Sequence, residues 1–585
     1  MADSIHDRAQ REVAAGRVDA ALAAVRLHLK IRPKDIDAMV LLGELLSTAG
    51  QFDLAVQQFT RLVAMQPESG MLRYNLASAL IDARRVKEAV VELERLQQAE
   101  PGNIAPYLAL AVAYVEVDQT AKAIEAARRA VAIDPTLAAA AGNLSYAYTR
   151  AGMTEESYRA ARIGVDANPN EPKLRSMMLL AMNYTDATPE AIAQAHRDYG
   201  RVVGPAVRPA RTAPDPERPI RVGLLSGDMR DHSVAFFVEP FLRHADPGVS
   251  FEIFSNCAPG TQDATSKRLR GYAAAWHDCG HMPHNAIDLL IRSRNIDVLI
   301  ELSGHAGEPR LLALIEKPAP VLITAIGYPN TTGVPAIDWR LVDAITDPPG
   351  SEGFCTERLL RIDPCFLCYT APTQAPEPEL PDASQPITFG SFNNATKIGA
   401  RSVELWSRVL HAVPGSRLLM KAQSLTDTTG RQVIMDRFAA AGITADRLEL
   451  VAYTKTRDEH LRLYNRVHVA LDTVPYNGTT TTCEALWMGV PVITTLGHRH
   501  AARVSASLLH AAGHPELVAA DTDALVQLAA SLANDRPRLA SLRTTLRGQM
   551  AASPLMDAPA YAARFHAAIR DCWKQWCKTL ADRRI

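Results

Sequence analysis

The sequence predicts an α-helical repeat solenoid followed by a two-lobed α/β region. Three observations support this prediction. Prolines recur every 34 residues near the N-terminus, short continuous apolar runs alternate with helical segments beyond residue 220, and clusters of proline separate these parts. The chain has 585 residues, which is too many for one hydrophobic core, so we expect several domains.

The composition argues against a strongly charged binding protein. Lys plus Arg is 63 and Asp plus Glu is 64, which gives a net charge of −1. Because a nucleic-acid binder normally carries a basic surplus or a basic stripe, we expect no nucleic-acid partner. The first residues are charged where a signal peptide needs an apolar segment, and no apolar run of about 18 residues occurs. The sequence therefore favours a cytoplasmic protein without a membrane span.

The cysteines indicate neither a disulfide framework nor a zinc site. All eight are scattered between Cys257 and Cys577 of a long chain. Cys365 and Cys368 have the spacing of half a zinc site, but no second pair follows at ligand distance. We expect no metal there.

Residues 1–170 contain a tandem repeat. The prolines that mark its period of 34 residues are Pro33, Pro67, Pro101, Pro135 and Pro169. Small residues recur within each period, at Gly43, Ala77, Ala111 and Ser145 in one helix and at Ala21, Ala55, Ala89, Ala123 and Ser157 in the other. Small side chains let two helices approach closely, so each period is a helical hairpin. This pattern is typical of tetratricopeptide repeats.

We expect about five such repeats to stack into a right-handed solenoid with a concave inner surface. Surfaces of this kind usually hold extended segments of a partner protein, and dimerisation through the repeats is the alternative use. Residues 171–219 follow as a capping helix and a linker, because a helix cannot continue through closely spaced prolines. The linker prolines are Pro205, Pro209, Pro214, Pro216 and Pro219.

The α/β region divides into lobes at residues 220–371 and 387–555, joined by a second proline-rich linker at 372–386. Runs of Val, Leu and Ile that alternate with helices indicate buried parallel strands. The runs cover residues 221–226, 251–255, 297–302 and 321–326 in the first lobe and residues 387–392, 417–420, 448–452, 469–472 and 490–495 in the second. A helix at 556–585 follows and is expected to pack back across the lobes. Paired lobes of this kind bind a ligand in the cleft at the carboxyl ends of their strands.

A run of four threonines is the main candidate for ligand binding, since the sequence has neither a dinucleotide-binding glycine fingerprint nor a phosphate loop. Its members are Thr479, Thr480, Thr481 and Thr482. The run opens a predicted helix, where free N–H groups, hydroxyl groups and the helix dipole suit a diphosphate. Glu484, about one turn further, is placed to accept hydrogen bonds from a ribose. An ordinary helix cap with surplus threonines is the alternative.

Three further residues are expected at the same cleft. Lys397 follows the first strand of the second lobe, where its ammonium would neutralise a phosphate leaving group. His232 follows the first strand of the first lobe, and His305 follows the buried run at 297–302. A single lysine of this kind is usually solvated and a single histidine is usually structural. Their shared location favours a functional cleft.

Segments in both lobes match a known family. The longest are Ser391-Phe-Asn-Asn-Ala-Thr-Lys-Ile398 and Tyr476-Asn-Gly-Thr-Thr-Thr-Thr-Cys-Glu-Ala-Leu-Trp-Met-Gly489. Shorter ones are Glu301-Leu-Ser-Gly-His305, Ile326-Gly-Tyr-Pro-Asn-Thr-Thr-Gly333, Asp347-Pro-Pro349 and Cys365-Phe-Leu-Cys-Tyr369. Together with the repeats, they resemble the protein O-GlcNAc transferase family, and within it the SPINDLY-like branch. The resemblance covers nearly the whole chain.

The resemblance implies a GT-B glycosyltransferase that moves a sugar from a nucleotide donor of the UDP-GlcNAc type to Ser or Thr of proteins. It implies inversion at the anomeric carbon, and neither metal nor cofactor. Lys397 falls on the family's essential lysine at the donor diphosphate. Thr480 and Thr481 fall on its phosphate-binding turn, and Glu484 falls on its ribose-contacting acid. Asn394 lies where the family has a polar residue on the phosphate side.

The resemblance leaves the base and the donor open. His232 takes the place of a histidine proposed as the base or as a positioning group, and His305 is the alternative base. The O-GlcNAc transferases proper have histidine at the position of Thr479. This chain has threonine there instead, as SPINDLY-like proteins do. GDP-fucose and a CMP-activated nonulosonic acid are therefore alternative donors, and flagellin is one acceptor that bacterial relatives suggest. The alternative of another class is a repeat scaffold that has lost catalysis.

The absence of a metal is also expected from the residues. Metal-dependent glycosyltransferases use an Asp-x-Asp at a strand end, so that two carboxylates share a divalent ion. The two such spacings here are Asp35-Ile-Asp37, at a solenoid helix, and Asp521-Thr-Asp523, at a surface helix. Neither lies on the inferred cleft.

Overall fold

The computed structural model describes residues 4–15, 17–205, 215–257, 260–307, 309–382 and 384–582. Its contacts divide the chain into two compact units, one of residues 1–150 with 166–168 and one of residues 151–165 with 169–585. The first unit is helical, and the second contains two parallel sheets. This architecture confirms the predicted fold class, a repeat solenoid followed by an α/β region with two sheets.

The first unit consists of helical hairpins. Its helices are α1 (Ile5–Ala14), α2 (Val18–Ile31), α3 (Ile36–Thr48), α4 (Phe52–Met65), α5 (Gly70–Asp82), α6 (Val86–Ala99), α7 (Ile104–Glu116), α8 (Thr120–Ile133) and α9 (Ala138–Arg150). Side-chain oxygens of Asp35, Ser69 and Asn103 cap α3, α5 and α7 at equivalent positions of the repeat. A Cβ on Gly43 would lie 2.5 Å from the Phe59 ring, which shows why this position of the repeat is small.

Three helices at the start of the second unit continue the helical part of the chain. They are α10 (Thr154–Ala167), α11 (Pro172–Met182) and α12 (Pro189–Val203). The contacts divide the chain near residue 150 rather than at the predicted 170, because the start of α10 is bonded to the α/β region. Thr154 Oγ1 donates to the carbonyl of Thr396 (3.0 Å), and Arg437 donates to that of Gly152 (3.1 Å). Pro209 and Pro214 of the predicted linker lie outside the described residues.

The first lobe contains a seven-stranded parallel sheet in the order β3-β2-β1-β4-β5-β6-β7. Its strands are β1 (Ile220–Ser226), β2 (Val249–Ser255), β3 (Ala275–Asp278), β4 (Val298–Glu301), β5 (Val321–Thr324), β6 (Trp339–Val342) and β7 (Arg358–Arg361), and its helices are α13 (Ser233–Arg243), α14 (Ala264–Arg270) and α15 (His284–Ser293). Four strands were predicted. The other three, β3, β6 and β7, are short and mix polar with apolar residues, so they show no continuous apolar run.

The second lobe contains a six-stranded parallel sheet in the order β10-β9-β8-β11-β12-β13. Its strands are β8 (Thr388–Ser391), β9 (Arg417–Lys421), β10 (Leu448–Val451), β11 (Val469–Leu471), β12 (Val492–Thr495) and β13 (Val518–Ala519). Its helices are α16 (Ala400–Ala412), α17 (Thr428–Ala440), α18 (Arg457–Arg462), α19 (Thr480–Trp487), α20 (Val504–Ala511), α21 (Thr522–Asn534) and α22 (Arg536–Ala551). Only β13, two residues long, has no predicted counterpart.

The last helix, α23 (Ala558–Asp582), packs against the first lobe. Tyr561 donates its hydroxyl to the carbonyl of Phe366 (2.7 Å), and the Phe565 ring stacks on Phe241 of α13 at 4.2 Å between centroids. Trp573 is fully buried. Among the described residues, no helix is both long and apolar enough to cross a membrane.

Helix α12 approaches the first lobe through two glycines. A Cβ built on Gly200 would lie 2.2 Å from the carbonyl oxygen of Gly333. Gly333 has a φ of +76°, which favours glycine, and a Cβ there would meet the carbonyl oxygen of His196 at 2.1 Å. The obstructing atoms belong to the backbone, so the clash cannot be relieved by a side-chain rotation.

We therefore expect Gly200→Ala to lower the free energy of unfolding by about 1–3 kcal/mol through overpacking, although alanine is the better helix former. The matched control is Gly548→Ala in α22, where a Cβ meets no atom within 4 Å. That change should raise the free energy of unfolding by about 0.5–1 kcal/mol. Urea denaturation followed by circular dichroism measures both. Equal effects of the two changes would contradict the close approach of α12.

Candidate active site

The candidate residues follow the strands at which each sheet changes direction. In the first sheet the order reverses between β1 and β4, and in the second it reverses between β8 and β11. Loops after two such neighbouring parallel strands diverge and leave a crevice at their carboxyl ends. His232 and His305 lie in the loops after β1 and β4, and Lys397 lies in the loop after β8. The threonine run follows β11.

Lys397 reaches across this crevice in the second lobe. Its Nζ donates to the carbonyl oxygens of Asn477 (3.2 Å) and Gly478 (2.5 Å), in the loop after β11. Within the described part of the chain, no carboxylate forms an ion pair with it. Burial lowers the pKa of Lys397 to about 8, and the negative charge of Asp472 opposes that shift. The ammonium is therefore held by neutral groups, and its charge is available to an anion.

Two tyrosines support this lysine. The ammonium lies 3.8 Å from the centre of the Tyr476 ring, which is the distance of a cation–π contact. The ring of Tyr184 stacks on that of Tyr476, with centroids 5.3 Å apart and an interplanar angle of 16°. Tyr184 follows α11, so the helical segment before the lobes contributes to the lysine site.

The threonine run begins α19 without a side-chain cap. Thr479 is the N-cap residue, but its hydroxyl caps no backbone N–H. The Thr481 hydroxyl donates to Asn393 (3.1 Å), and the Thr482 hydroxyl bonds to Ser505 (2.9 Å). The buried hydroxyl of Thr480 has no partner among the described residues. The geometry thus disfavours an ordinary helix cap and leaves the first N–H groups of α19 for a ligand.

Glu484 is buried in α19 and already has two side-chain partners, Arg457 and His460. Its carboxylate accepts from Arg457 Nη2 (3.0 Å) and lies 2.9 Å from His460 Nε2. Burial alone would raise the pKa of Glu484, but His460 and Arg457 reverse the effect and hold the pKa below its usual value. The acid is therefore an ionised acceptor, and a ribose would have to share it with these partners.

His232 is the N-cap of α13, and its Nδ1 accepts from the backbone N–H of Val234 (3.3 Å). Asp228 lies 3.6 Å from the same nitrogen. Burial lowers the pKa of His232, and the charge of Asp228 opposes the shift. A neutral imidazole that accepts at Nδ1 carries its proton on Nε2. In this tautomer His232 is a hydrogen-bond donor, which suits a positioning role better than proton removal.

His305 has no free ring nitrogen for a base. Its Nδ1 lies 2.9 Å from the Ser176 hydroxyl and its Nε2 lies 2.8 Å from the Thr332 carbonyl. The side chain is 2% exposed, and burial lowers the pKa of His305 to about 4. The Tyr199 ring packs edge-on against it at 4.6 Å between centroids. His305 therefore fixes α11 to the loops of the first lobe, and this geometry argues against the base role that the sequence left open.

Asn394 is exposed and caps a single 3-10 turn. Its side-chain oxygen accepts from the backbone N–H of Thr396 (3.2 Å). Lys397 is the last residue of this turn. Asn394 therefore shapes the loop that carries the lysine, and its side chain stays accessible to a ligand.

Sequence reasoning missed several residues that shape the cleft. Tyr184 lies in the helical segment and carries no motif, whereas Tyr476 opens the threonine-rich motif and has an aromatic ring next to a tight turn. Glu301, at the end of β4, accepts from the backbone N–H groups of Ser303 (2.6 Å) and Gly304 (2.5 Å). Burial raises the pKa of Glu301 to about 7. The signal that the sequence offers for Glu301 is an acidic residue at the end of a continuous apolar run.

No cluster of metal ligands occurs at the cleft. In the part of the chain that the structure describes, no three His, Cys, Asp or Glu side chains are arranged to hold a metal ion. Asp35 and Asp521, from the two Asp-x-Asp spacings, act as helix caps. Cys365 and Cys368 are buried free thiols.

Comparison with known proteins assigns the α/β region to a family. The model of glycosyl transferase family 41 matches residues 204–369 and 373–565. The chain belongs to glycosyl transferase family 41. Tetratricopeptide repeat models match residues 40–104 and 104–137. The family 41 membership and the repeats together confirm the resemblance to O-GlcNAc transferases.

Individual relatives agree with this family 41 assignment. The Arabidopsis thaliana protein named probable UDP-N-acetylglucosamine–peptide N-acetylglucosaminyltransferase SPINDLY is 38% identical over 412 residues, which are 68% of this chain and 45% of that protein. The Arabidopsis thaliana SEC protein is 28% identical over 372 residues, 61% of this chain and 37% of its own length. A mutant of the Thermobaculum terrenum O-GlcNAc transferase superposes with a TM-score of 0.81 at 32% identity, over 87% of this chain and 98% of that structure. This chain spans less than half the length of the two Arabidopsis relatives.

The pKa of Lys397 predicts how binding of a nucleoside diphosphate depends on pH. If the crevice binds a nucleoside diphosphate, the protonated ammonium attracts it, and protonation falls from about 90% at pH 7 to about 10% at pH 9 for a pKa of about 8. We expect the affinity for UDP to fall roughly tenfold over this range, as measured by titration calorimetry. Lys397→Arg, which stays charged, should show a flat profile. The same dependence of UDP affinity on pH in both proteins would contradict the assignment of Lys397 to diphosphate binding.

Proposed function

We propose that the chain transfers a sugar from a nucleotide diphosphate donor to Ser or Thr hydroxyl groups of proteins, with inversion and without a metal ion. One observation carries this proposal. The ammonium of Lys397, which forms no ion pair with a carboxylate among the described residues, adjoins the N-terminus of α19 at the crevice between β8 and β11. Such a site is complementary to a departing diphosphate.

The leaving group is where this chain's residues contribute most. As the bond from the anomeric carbon to the diphosphate oxygen breaks, negative charge builds up on the phosphates. Lys397, the free N–H groups of α19 and the unpartnered hydroxyl of Thr480 would stabilise that charge. Removal of one preorganised donor of this kind typically costs about 100- to 1,000-fold in rate. A fixed cation at the diphosphate takes the place that a divalent ion has in metal-dependent enzymes.

The new bond forms when the acceptor oxygen attacks the anomeric carbon from the face opposite the diphosphate. The acceptor proton must then leave, and the tautomer of His232 favours a donor role for this side chain over that of the base. We propose that His232 orients the reactants and that a phosphate oxygen or a water chain takes the proton.

Three nucleotides are candidates for the donor. The name of the SPINDLY relative states UDP-N-acetylglucosamine, which favours UDP. Thr479, in place of histidine, keeps GDP-fucose as an alternative diphosphate donor, and a CMP-activated nonulosonic acid, whose leaving group is a monophosphate, as a second alternative. A thermal-shift comparison of UDP, GDP and CMP with the full chain separates them, and stabilisation by none would favour a repeat scaffold without catalysis.

The decisive test of the proposed function is Lys397→Ala. We expect donor turnover to fall by at least about 100-fold, because the developing phosphate charge loses the ammonium of Lys397. The control is Lys578→Ala on α23, an exposed lysine outside the cleft, which should match the parent. Release of nucleotide from the sugar donor measures both. Activity of Lys397→Ala within tenfold of the parent would remove the leaving-group role.

The acceptor is proposed to be a protein held by the tetratricopeptide repeats. Repeat solenoids offer long surfaces to extended segments, and binding there raises the local concentration of the acceptor. Flagellin is one acceptor to try, on the strength of the family resemblance. A deletion of the repeats should end at residue 150, because α10 bonds to the loop of Lys397 through Thr396.

Deletion of residues 1–150 should therefore spare donor binding and abolish modification of a protein acceptor. Calorimetry with the donor nucleotide confirms that the remaining unit is folded, and mass spectrometry of the acceptor measures transfer. A second deletion, to residue 170, should also weaken donor binding, since it removes Thr154. Full modification by the shorter deletion would show that the repeats do not recruit the acceptor.

A further inference from the structure

Arg457 connects the two lobes beside the candidate donor site. Its Nη1 donates to Asp231 (3.0 Å), in the loop after β1 of the first lobe. Its Nη2 donates to Glu484 (3.0 Å), in α19 of the second lobe. The guanidinium also lies 4.1 Å from the centre of the Phe236 ring in α13. One side chain thus contacts the helix that follows the threonine run and the segment that carries His232.

The local sequence gives Arg457 no role in its own helix. Arg457 is the first residue of α18, which Thr456 and Glu459 already close with reciprocal capping bonds. A cation at a helix N-terminus is disfavoured by the helix dipole. The arginine therefore stands against a local preference, and Asp231 of the first lobe and Glu484 of its own lobe supply the compensating negative charge.

The two carboxylates that Arg457 joins differ in exposure. Asp231 is 59% exposed and Glu484 is 8% exposed, so the pair with Glu484 is the better shielded of the two. Glu484 also pairs with His460. A ligand that forms a hydrogen bond with a carboxylate oxygen of Glu484 would weaken the ion pair between Glu484 and Arg457. Through Arg457, it would also affect the segment at Asp231.

We propose that Arg457 is a positioning residue that links occupation of the donor site to the placement of residues 227–233. This inference rests on the proposed function and on the role that the family resemblance implies for Glu484, which is to accept hydrogen bonds from ribose hydroxyl groups. When these hydroxyl groups bind Glu484, Arg457 loses part of its pairing in the second lobe and turns to the donor phosphates and Asp231. The Asp231 backbone N–H is bonded to Asp263 and the next residue is His232, so the segment is already anchored in the first lobe. Donor binding would thereby order the group that orients the acceptor.

The experiment uses the full chain and three variants. Asp231→Asn removes the first-lobe partner, and Arg457→Lys keeps the charge but cannot span both carboxylates. The control is Asp458→Asn, on the same helix, whose carboxylate pairs with Arg462. UDP binding is measured by calorimetry, with GDP as the second probe. Hydrogen exchange of residues 227–233 is measured with and without the nucleotide, and kcat and KM are measured for the donor.

In the parent and in Asp458→Asn, the nucleotide should slow hydrogen exchange of residues 227–233. Asp231→Asn should bind the nucleotide within threefold of the parent, lose this protection, and lower kcat about tenfold with little change in KM. Arg457→Lys should lose the protection as well. If the ion pair between Arg457 and Asp231 were merely structural, its loss would change hydrogen exchange of residues 227–233 equally with and without the nucleotide.

Two outcomes separate this inference from the proposed function. If the parent binds UDP or GDP but its segment 227–233 shows no change in exchange, or if Asp231→Asn keeps both protection and kcat, Arg457 does not link the lobes. If the parent binds neither UDP nor GDP, the proposed transfer from a nucleotide diphosphate donor fails, and this inference fails with it.

Discussion

The second lobe depends on an ammonium that is satisfied by neutral groups. A partly buried lysine without a carboxylate must find carbonyl oxygens or an aromatic face, and Lys397 has both. Its partners lie in the loop after β11, so the adjacency of β8 and β11 in the sheet is what brings them together. That loop is in turn held by Asp472, which accepts from the backbone N–H of Gly478 (2.9 Å). The charge is left for a ligand because no carboxylate among the described residues forms an ion pair with Lys397, although Asp472 acts on it from a longer distance.

The helical segment at residues 151–203 belongs to this site as well as to the repeats that precede it. Tyr184 stacks on the ring of Tyr476, which contacts Lys397. Thr154 donates to the carbonyl of Thr396, the residue before Lys397. Arg499, from the loop after β12, donates to the carbonyl oxygens that follow α11, at Asn183, Thr185 and Ala187. The segment therefore acts as a structural part of the lobes, which explains why the contacts divide the chain within the fifth hairpin.

Burial separates the two histidines that the sequence treated alike. Both follow a strand of the first sheet at its switch point, but His305 is enclosed by Tyr199 and Tyr328 and has both nitrogens engaged. His232 caps a helix and remains partly accessible. The same residue type at equivalent places in the topology thus serves packing in one loop and the cleft in the other. Only the surrounding side chains distinguish them.

The sequence by itself determined the repeat period, the two sheets and the positions of Lys397 and the threonine run. These follow from local rules, since helix caps, small residues and apolar strand runs are written in consecutive residues. It did not determine the short polar strands β3, β6 and β7, the partners of Glu484, or the tyrosines around Lys397. Those depend on contacts between residues far apart in the chain, such as Tyr184 with Tyr476, and no local pattern encodes them. The tertiary structure decided which polar side chains keep a free atom for a ligand, because burial and pairing are properties of the folded surroundings.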